Sequence, residues 1–377
     1  MRRQVQTVPL ITEVSFLSGG TPRMSESRFW GGDIPWVSSG EMTESRISYT
    51  QRRVTEDGAK NGTRMVPVNT VLVVVRGMSL AKEFRISISE REITFNQDIK
   101  ALQPSEKIDP WFLYYYLKSQ KHAIRDSATD ASHGTKKLET RVLEQWPFPL
   151  LDIQIQRSIA SILSAYDDLI ENNRRRIQLL EQAARLLYKE WFVHFRFPGN
   201  EHTQIIDGVP EGWEKKVLGE LSPFKYGKAL KADNRIPGAY PVYGSSGIVG
   251  THNKALVPGP AIIVGRKGNV GSVYWSKSAF YPIDTVFFIG AEHCSLYLYY
   301  ALLHTQFIST DVAVPGLNRD YAHSRLLLVP ERKILLLFEQ HAEVMHNQIE
   351  RLTIYNESLT SARDLLLPRL MNGEIAI

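Results

Sequence analysis

The strongest constraint on the fold is an internal repeat, because one succession of motifs occurs twice within the 377 residues of the chain. The matching segments, first copy and then second, are 10–14 and 217–221, 34–40 and 240–247, 76–77 and 266–268, 134–137 and 316–319, and 170–187 and 349–366. The offset between the copies falls from about 207 to about 179 along the chain, as expected if the second copy has shorter loops. A repeat of this length is too long for a solenoid of small units and predicts two similar modules.

Composition and charge exclude several classes of protein. A hydrophobic content of 43% and a charged content of 23% are ordinary for a soluble globular chain. The single cysteine, Cys294, excludes an internal disulfide framework and fits a reducing cytosol. No apolar run is long enough to span a bilayer and no secretory leader is visible, so we expect a cytoplasmic protein without membrane contact. The formal charge of +5 permits a polyanionic partner without requiring one.

Each module is predicted to be rich in β-strands and to contain one short helix. The predicted strands are 66–75, 86–89, 93–95, 261–264, 272–275 and 286–289. Residues 109–122 predict a helix with Asp109 as its N-cap and Pro110 in its first turn. Residues 296–306 predict the counterpart of this helix in the second module.

A long helix is predicted after each module. Apolar residues alternate steps of three and four from Ile153 to about residue 192, and a second such pattern begins at Lys333 and stops at Asn372-Gly373. The predicted seam residues are Ile155, Ile159, Ile162, Tyr166, Leu169, Asn173, Ile177, Leu180, Ala184, Leu187 and Trp191, then Met345, Ile349, Leu352, Asn356, Leu359, Ala362, Leu366 and Leu370. This spacing is typical of coiled-coil helices.

These elements predict five domains and an α+β architecture. The domains are a first β-rich domain (1–152), a first helix (153–197), a linker (198–216), a second β-rich domain (217–332) and a second helix (333–377). A helix of this length extends about 57 Å. We therefore expect two globular β-rich domains separated by two long antiparallel coiled-coil helices with pseudo-twofold symmetry. Asn173 and Asn356 fall on the seams, where a buried amide would fix the helix register; exposure to water is the open alternative.

Several motifs resemble those of one known family. They are Gly19-Gly20-Thr21-Pro22, the run 30–37 (WGGDIPWV), the run 240–247 (YPVYGSSG), the run 265–271 (GRKGNVG), the run 156–160 (QRSIA) and the run 365–370 (LLLPRL) with Gly373-Glu374-Ile375. In this order they are similar to the specificity subunit of type I restriction-modification enzymes, and the similarity covers essentially the whole chain.

The resemblance implies a division of labour between this chain and its partners. Each β-rich domain would be a target recognition domain that reads one half of a split sequence in double-stranded DNA. The helices would set the unread gap and dock two modification subunits, and restriction/translocase subunits would join the complex. The chain itself would be non-catalytic and hold no cofactor, because S-adenosylmethionine, ATP and magnesium would belong to the partner subunits.

Glycine-flanked hydroxyl and basic residues are the candidate DNA contacts, because they allow close approach to phosphate and neutralise its charge. The candidates in the first module are Arg23, Ser38, Ser39, Glu41, Arg76, Lys82, Ser132, Lys136 and Lys137. Those in the second module are Lys225, Lys228, Lys231, Arg235, Tyr243, Ser245, Ser246, Arg266, Lys267, Asn269, Asn318 and Arg319. Arg266 is suited to guanine, Asn269 to adenine and Glu41 to cytosine. Solvated surface turns are the alternative, above all for Glu41.

The helices supply the candidates for partner binding. These residues are Ile159, Tyr166, Ile177, Leu180, Leu187, Ile349, Leu352, Leu359 and Leu366. Two other functions stay open on the sequence: a two-headed coiled-coil scaffold that binds proteins, and a self-contained DNA methyltransferase or nuclease. Residues 109–112 and 214–216 superficially match catalytic motifs of such enzymes, but a glycine-rich cofactor loop and a placement on paired strands are missing.

Overall fold

The computed structural model describes residues 6–131, 134–309 and 316–375, which form two compact units. The first unit comprises Met1–Asn172 and Tyr355–Ile377, and the second comprises Asn173–Ile354. Each unit therefore contains one half of each long helix. Because the units divide the chain by compactness, the predicted boundaries of the five domains stay predictions.

The first unit combines small sheets with short helices and the helical halves. Its strands are β1 (Thr7–Pro9), β2 (Val14–Ser18), β3 (Trp30–Val37), β4 (Arg46–Ile47), β5 (Arg53–Val54), β6 (Met65–Val66), β7 (Val71–Val74), β8 (Arg76–Gly77), β9 (Ile86–Ser89), β10 (Ile93–Phe95), β11 (Ile99–Pro104), β12 (Thr129–Asp130), β13 (Lys136–Lys137) and β14 (Pro147–Pro149). Its helices are α1 (Glu56–Lys60), α2 (Pro110–Ser119), α3 (Lys121–Asp126), α4 (Thr140–Glu144) and the start of α5 (Ile153–Phe192). The sheets have the strand orders β2-β11-β7-β9-β4, β5-β3-β10-β6, β12-β13-β8 and β1-β14.

The second unit follows the same plan. Its strands are β15 (Ile205–Ile206), β16 (Val209–Pro210), β17 (Glu214–Val217), β18 (Lys225–Tyr226), β19 (Tyr240–Gly244), β20 (Gly247–His252), β21 (Ala261–Gly265), β22 (Val273–Ser276), β23 (Tyr281–Pro282), β24 (Val286–Ile289) and β25 (Leu326–Val329). Its helices are α6 (Leu218–Leu221), α7 (Leu296–His304), α8 (Arg319–His323) and the start of α9 (Arg332–Met371). The sheets have the strand orders β18-β24-β21-β22, β20-β19-β23, β17-β25 and β15-β16. Residues 214–216, expected in a linker and not on paired strands, therefore lie on a strand that pairs with β25, which corrects that expectation.

The internal repeat is confirmed at the level of single backbone hydrogen bonds. Three bonds of the first unit have a counterpart in the second. The bond from Leu138 N to Val75 O matches that from Leu317 N to Arg266 O. The bond from Val75 N to Asp98 O matches that from Arg266 N to Thr285 O, and the bond from Asn96 N to Val37 O matches that from Ile283 N to Tyr243 O. These equivalences correct one predicted match, that of 134–137 with 316–319. Leu138 corresponds to Leu317, so the basic pair 136–137 precedes the shared leucine whereas 318–319 follows it.

The core of the first unit joins its sheets to the long helices. One buried cluster contains Val73 of β7, Phe112 of α2, Leu163 of α5 and Leu367 of α9. Asp109 caps α2 as predicted, because its carboxylate accepts hydrogen bonds from the N–H groups of residues 111 and 112. The helix nevertheless ends at Ser119 rather than at residue 122, and α3 begins at Lys121.

The predicted strand at 66–75 is two strands in different sheets. Strand β6 pairs with β10, whereas β7 pairs with β9 and β11. Between them, Pro67 lacks a donor N–H and Asn69 adopts a left-handed conformation with φ of 62°. This turn ends one strand and redirects the chain, which the unbroken run of β-forming residues did not show.

The long helices α5 and α9 have the predicted extents but a partly different buried stripe. Leu163 and Ile170 are buried, whereas the predicted seam residues Ile162 and Leu169 are exposed. Gln156, one heptad before Leu163, is also buried and accepts a hydrogen bond from the Asp109 N–H. The start of α5 therefore packs against the β-rich domain as well as against α9. Ile159 is buried as predicted, and the second neighbour turns Gln156 and Leu163 inward beside it.

The two long helices pack antiparallel within each unit. In the first unit, Asp167 of α5 pairs with Arg363 of α9, and Asn356 donates a 3.3 Å hydrogen bond to the Ile170 carbonyl one turn further along α5. In the second unit, Trp191 packs against Phe338. Asn356 therefore contacts the neighbouring helix, which supports its predicted role in fixing register. These features confirm the predicted fold class, two β-rich units with two long coiled-coil helices.

Candidate DNA interface

Three segments of the first unit converge, namely residues 38–41, 76–77 and 136–137, which we call the first loop cluster. Strand β13 pairs with β8, and this places Lys137 opposite Arg76. A side-chain carbon at Gly77 would lie 3.9 Å from Ser39 Oγ, so the segment 38–41 borders this strand pair. The structure thus brings together basic and hydroxyl residues that are about 100 residues apart in the chain.

The second loop cluster consists of residues 244–246, 266–269 and 316–319 of the second unit, in which Gly316 holds the position of Lys137. Lys267 forms a β-bridge with Gly316. The Asn269 N–H donates a 3.4 Å hydrogen bond to Ser245 Oγ. The same three-segment arrangement is therefore built twice.

A glycine follows the basic residue in both clusters and permits the turn there. Gly77 has a φ of 139° and Gly268 a φ of 80°. Side chains other than glycine rarely adopt such angles. Arg76 and Lys267 consequently lie directly before a change of chain direction, where their side chains are exposed.

Glu41 has a structural role that the sequence did not show. Its carboxylate accepts hydrogen bonds from the Ser38 N–H at 3.2 Å, the Ser38 hydroxyl at 2.8 Å and the Gln51 N–H at 3.2 Å. Arg85 supports the same loop, because its Nη1 donates to the carbonyls of residues 39 and 40. The carboxylate of Glu41 therefore braces its own loop, and its suggested contact with cytosine stays a prediction.

Three candidates of the second module also serve the protein itself. Tyr243 is buried against Phe280, and this burial raises the pKa of its hydroxyl. Ser245 is buried and links two loops through hydrogen bonds. The Asn318 side chain caps α8 by accepting from the N–H groups of residues 320 and 321. These three residues therefore shape the second loop cluster, and their DNA contacts stay predictions.

Most basic candidates of the first unit are available at the surface. Arg23, Arg76 and Lys82 are exposed, and neither arginine has a carboxylate within 4.0 Å in the described part of the chain. Lys136 and Lys137 each pair with an acidic neighbour at the surface, and such pairs contribute little and exchange readily.

The hydroxyl candidates Ser38 and Ser39 are half-buried. Ser132 lies outside the described residues.

The candidates of the second unit differ in how far they are exposed. Lys228, Lys231 and Lys267 are exposed, as are Ser246 and Asn269.

Two further basic candidates are held by other residues. Lys225 pairs with Glu292. Arg235 donates a 2.6 Å hydrogen bond to the Val249 carbonyl, which places it along strand β20 rather than at the second loop cluster. The structure therefore does not bring Arg235 to the place where it was predicted.

Tyr226 is a residue that the sequence reasoning missed. The guanidinium carbons of Arg266 and Arg319 lie 5.0 Å and 5.4 Å from the centroid of its ring. An exposed aromatic residue next to lysine is a recurrent feature of nucleic-acid interfaces, and the pair Lys225-Tyr226 carried that signal.

The helix residues predicted to bind partners are mostly used within the chain. Ile159, Leu352 and Leu359 are buried, and the other six are half-buried: Tyr166, Ile177, Leu180, Leu187, Ile349 and Leu366. The large apolar residues that the long helices expose are Ile162, Leu169, Leu179, Leu186, Leu336, Val344, Ile354, Tyr355 and Leu365. A partner protein would meet this second set.

Polar networks join each β-rich domain to the long helices. In the first unit, the Tyr115 hydroxyl donates a 2.8 Å hydrogen bond to Asp167. Burial alone would raise the pKa of Asp167, but the charges of Lys118 and Arg363 outweigh it and lower that pKa.

The second unit has a neutral contact of this kind, in addition to an exposed ion pair between Lys277 and Glu350 of α9. The Tyr300 hydroxyl and His346 Nε2 lie 2.8 Å apart. Burial, with a smaller contribution from the charge of Lys277, lowers the pKa of His346 to about 4. The ring is therefore neutral at physiological pH.

Metal-binding groups and membrane-spanning helices are both absent from the described residues. No group of three or more His, Cys, Asp or Glu side chains there is arranged to hold a metal ion. None of the helices in those ranges has the length and apolar composition needed to cross a membrane.

Two repeated β-rich units, each presenting a basic loop cluster and joined to a pair of long helices, fit the class of proteins that supply sequence specificity on DNA. Comparisons with known proteins agree. The family model described as Type I restriction modification DNA specificity domain matches residues 11–182 and 210–318. The chain belongs to this family, as its motifs predicted, and its role is to supply DNA sequence specificity.

Individual relatives extend over most of the chain. The specificity subunit of the type I restriction enzyme MjaIX from Methanocaldococcus jannaschii is 25% identical over 415 residues, covering 98% of this chain and 93% of that protein. The putative type I specificity subunit S.MpnORF638P of Mycoplasma pneumoniae is 35% identical over 238 residues, covering 57% of this chain and 58% of that protein. The crystal structure of a type I S subunit from M. genitalium has the same fold, with a TM-score of 0.63 at 18% identity and coverage of 98% and 97%.

Proposed function

We propose that the two units read the two halves of one split DNA target. The observation that carries this proposal is that equivalent backbone hydrogen bonds build both loop clusters, whereas the side chains on them differ. The shared scaffold would present each cluster to DNA in a similar way, and the different side chains would select different bases.

The candidate contacts of the two clusters divide into two roles. Arg76, Lys137 and Lys267 would neutralise phosphates, which gives affinity without choosing a sequence. Arg266 and Asn269 would contact base edges, because arginine matches guanine and asparagine matches adenine with two hydrogen bonds.

The long helices would set the unread gap and dock two modification subunits. Their exposed apolar residues fall in both units, with Ile162 and Leu365 in the first and Leu186 and Val344 in the second. Two equivalent partner copies would match this distribution. Methyl transfer would be carried out by the modification subunits with S-adenosylmethionine, and cleavage would need restriction/translocase subunits with ATP and magnesium.

Hydroxyl-radical footprinting of the complex with modification subunits tests the central part of this proposal. We expect two protected DNA segments separated by an unprotected gap. Combined substitution of Arg76 and Lys137 by alanine should weaken protection of one segment and leave the other unchanged. One continuous footprint, or simultaneous loss of both segments, would contradict the assignment of one half-site to each unit.

Lys60 offers a matched control in the first unit. It is an exposed lysine on α1, outside the first loop cluster, and it pairs with Glu56 at 3.8 Å. Lys60→Ala should leave both protected segments unchanged. An equal effect of this control would show that the loss reflects general charge rather than the first loop cluster.

A further inference from the structure

Tyr226 holds the two arginines of the second loop cluster beside one aromatic ring. Their guanidinium carbons lie 5.0 Å and 5.4 Å from the ring centroid, within the range of a cation–π interaction. Tyr226 is 49% exposed, so an edge of this assembly is open to solvent. Arg266 and Arg319 come from different segments of the chain, and the ring is the surface that they share.

Arg266 is the more firmly held of the two arginines. Its guanidinium also lies 5.7 Å from the Phe287 ring centroid, and its Nη1 donates a 3.2 Å hydrogen bond to the Asp284 carbonyl. No carboxylate lies within 4.0 Å of it in the described ranges, so its charge is not neutralised by the protein. Stacking fixes the plane of the guanidinium, and a fixed plane is what a two-bond contact with guanine requires.

The equivalent position of the first unit has different chemistry. Tyr226 pairs with Phe287 across strands β18 and β24, and the same register in the first unit pairs Ser18 with Lys100 across β2 and β11. There, Lys100 Nζ donates a 2.5 Å hydrogen bond to Ser18 Oγ. The aromatic platform is therefore a property of the second unit, although the strands beneath it are shared.

We propose that Tyr226 is a positioning residue that orients Arg266 and Arg319 and thereby sets base discrimination in the half-site read by the second unit. This inference rests on the proposed function, because it assumes that the second loop cluster contacts DNA. Tyr226 acts through the arginines, so its removal changes which bases are accepted more than it changes total affinity.

Competition binding with duplexes tests the inference in the complex with modification subunits. The duplexes carry the wild-type target with each base pair replaced in turn. Tyr226→Thr keeps a residue that favours strands on β18 but removes the ring. We expect discrimination at one or two base pairs of one half-site to fall about tenfold or more, which matches the energy of one two-bond base contact. The other half-site should keep its full discrimination.

Three comparisons separate orientation from a general structural effect. Tyr226→Phe keeps the ring and should restore discrimination. Adding Tyr226→Thr to a variant with Arg266 and Arg319 both replaced by alanine should cause no further loss at the affected base pairs. Tyr49→Thr removes another exposed tyrosine, on which Arg53 stacks at 5.1 Å in the first unit, and should leave the affected half-site unchanged.

Each remaining outcome also decides the question. If Tyr226→Thr lowers the yield of folded protein, Arg266→Lys replaces it, because lysine keeps the charge but cannot stack as a plane; it should give the same relaxation. Unchanged discrimination in the folded variant overturns the inference about Tyr226. The proposal that each unit reads one half of the DNA target would still stand. Absence of binding to any split target by the wild-type complex overturns the proposed function itself.

Discussion

Arg363 of α9 forms an ion pair with Asp167 of α5, and their side chains are only 13% and 10% exposed. The pair joins the two long helices inside the first unit, at the point where Tyr115 of α2 also donates to Asp167. Buried ion pairs are costly to break, because removal of one partner leaves the other charged and desolvated. This contact therefore fixes both the helix pair and the position of the β-rich domain on it.

Substitution of Asp167 by alanine should lower the free energy of unfolding by about 3 kcal/mol, because Arg363 and Lys118 would lose their buried counter-charge. Chemical denaturation measures this change. Arg175→Ala, at an exposed arginine of the same helix, is the matched control and should change stability by less than about 0.5 kcal/mol. Equal effects of the two substitutions would show that the ion pair does not carry this stability.

Acidification should destabilise the second unit through His346. Its folded-state pKa is about 4, below the usual value near 6.5, so the unfolded chain binds a proton that the folded chain excludes between these values. Stability from the neutral ring is complete above about pH 6.5 and is lost as the pH falls towards 4, by up to about 3 kcal/mol. Urea denaturation from pH 7 to pH 4 should show a shallower decline for His346→Gln. Identical declines would exclude this residue as the cause.

Glu41→Ala should weaken DNA binding without changing sequence preference, because the carboxylate braces the loop that carries Ser38 and Ser39. Loss of these hydrogen bonds should also reduce stability by roughly 1 kcal/mol. Competition between duplexes that differ at single C·G pairs measures preference. A selective loss at one C·G pair would instead support the predicted contact of Glu41 with cytosine.

Lys267→Ala should reduce the salt dependence of DNA binding by about one in the slope of log K against log salt concentration, because one phosphate contact is lost. Titrations at several salt concentrations measure this slope. Lys254, another exposed lysine of the second unit outside the second loop cluster, supplies the control and should leave the slope unchanged. A slope unaffected by Lys267→Ala would remove this residue from the interface.

The sequence predicted the regular elements well where a single neighbour determines the pattern. The three-and-four spacing from Ile153 located α5 at its observed bounds, and Asp109-Pro110 located the start of α2. The spacing did not predict every buried residue where α5 has two neighbours. There Gln156 and Leu163 are buried against the β-rich domain, although neither belongs to the predicted seam.

The candidate site was predictable only in outline. The basic, glycine-flanked turns at Arg76 and Lys267 stand out in the sequence, and the structure places each in a loop cluster. Which side chains are free is decided by contacts distant in sequence. Glu41 is occupied by its own loop, Asn318 caps a helix, and Tyr226 meets Arg266 only because strands bring them together.

The most direct test of the central claim is to sequence the methylated motif in DNA from cells that carry the complete modification complex. Three versions are compared: wild type, a variant with Arg76 and Lys137 replaced by alanine, and a variant with Arg266 and Asn269 replaced by alanine. We predict a two-part motif for the wild type, relaxed in one part by the first variant and in the opposite part by the second. Relaxation of the same part by both variants, or a motif without two parts, would contradict a separate reader in each unit.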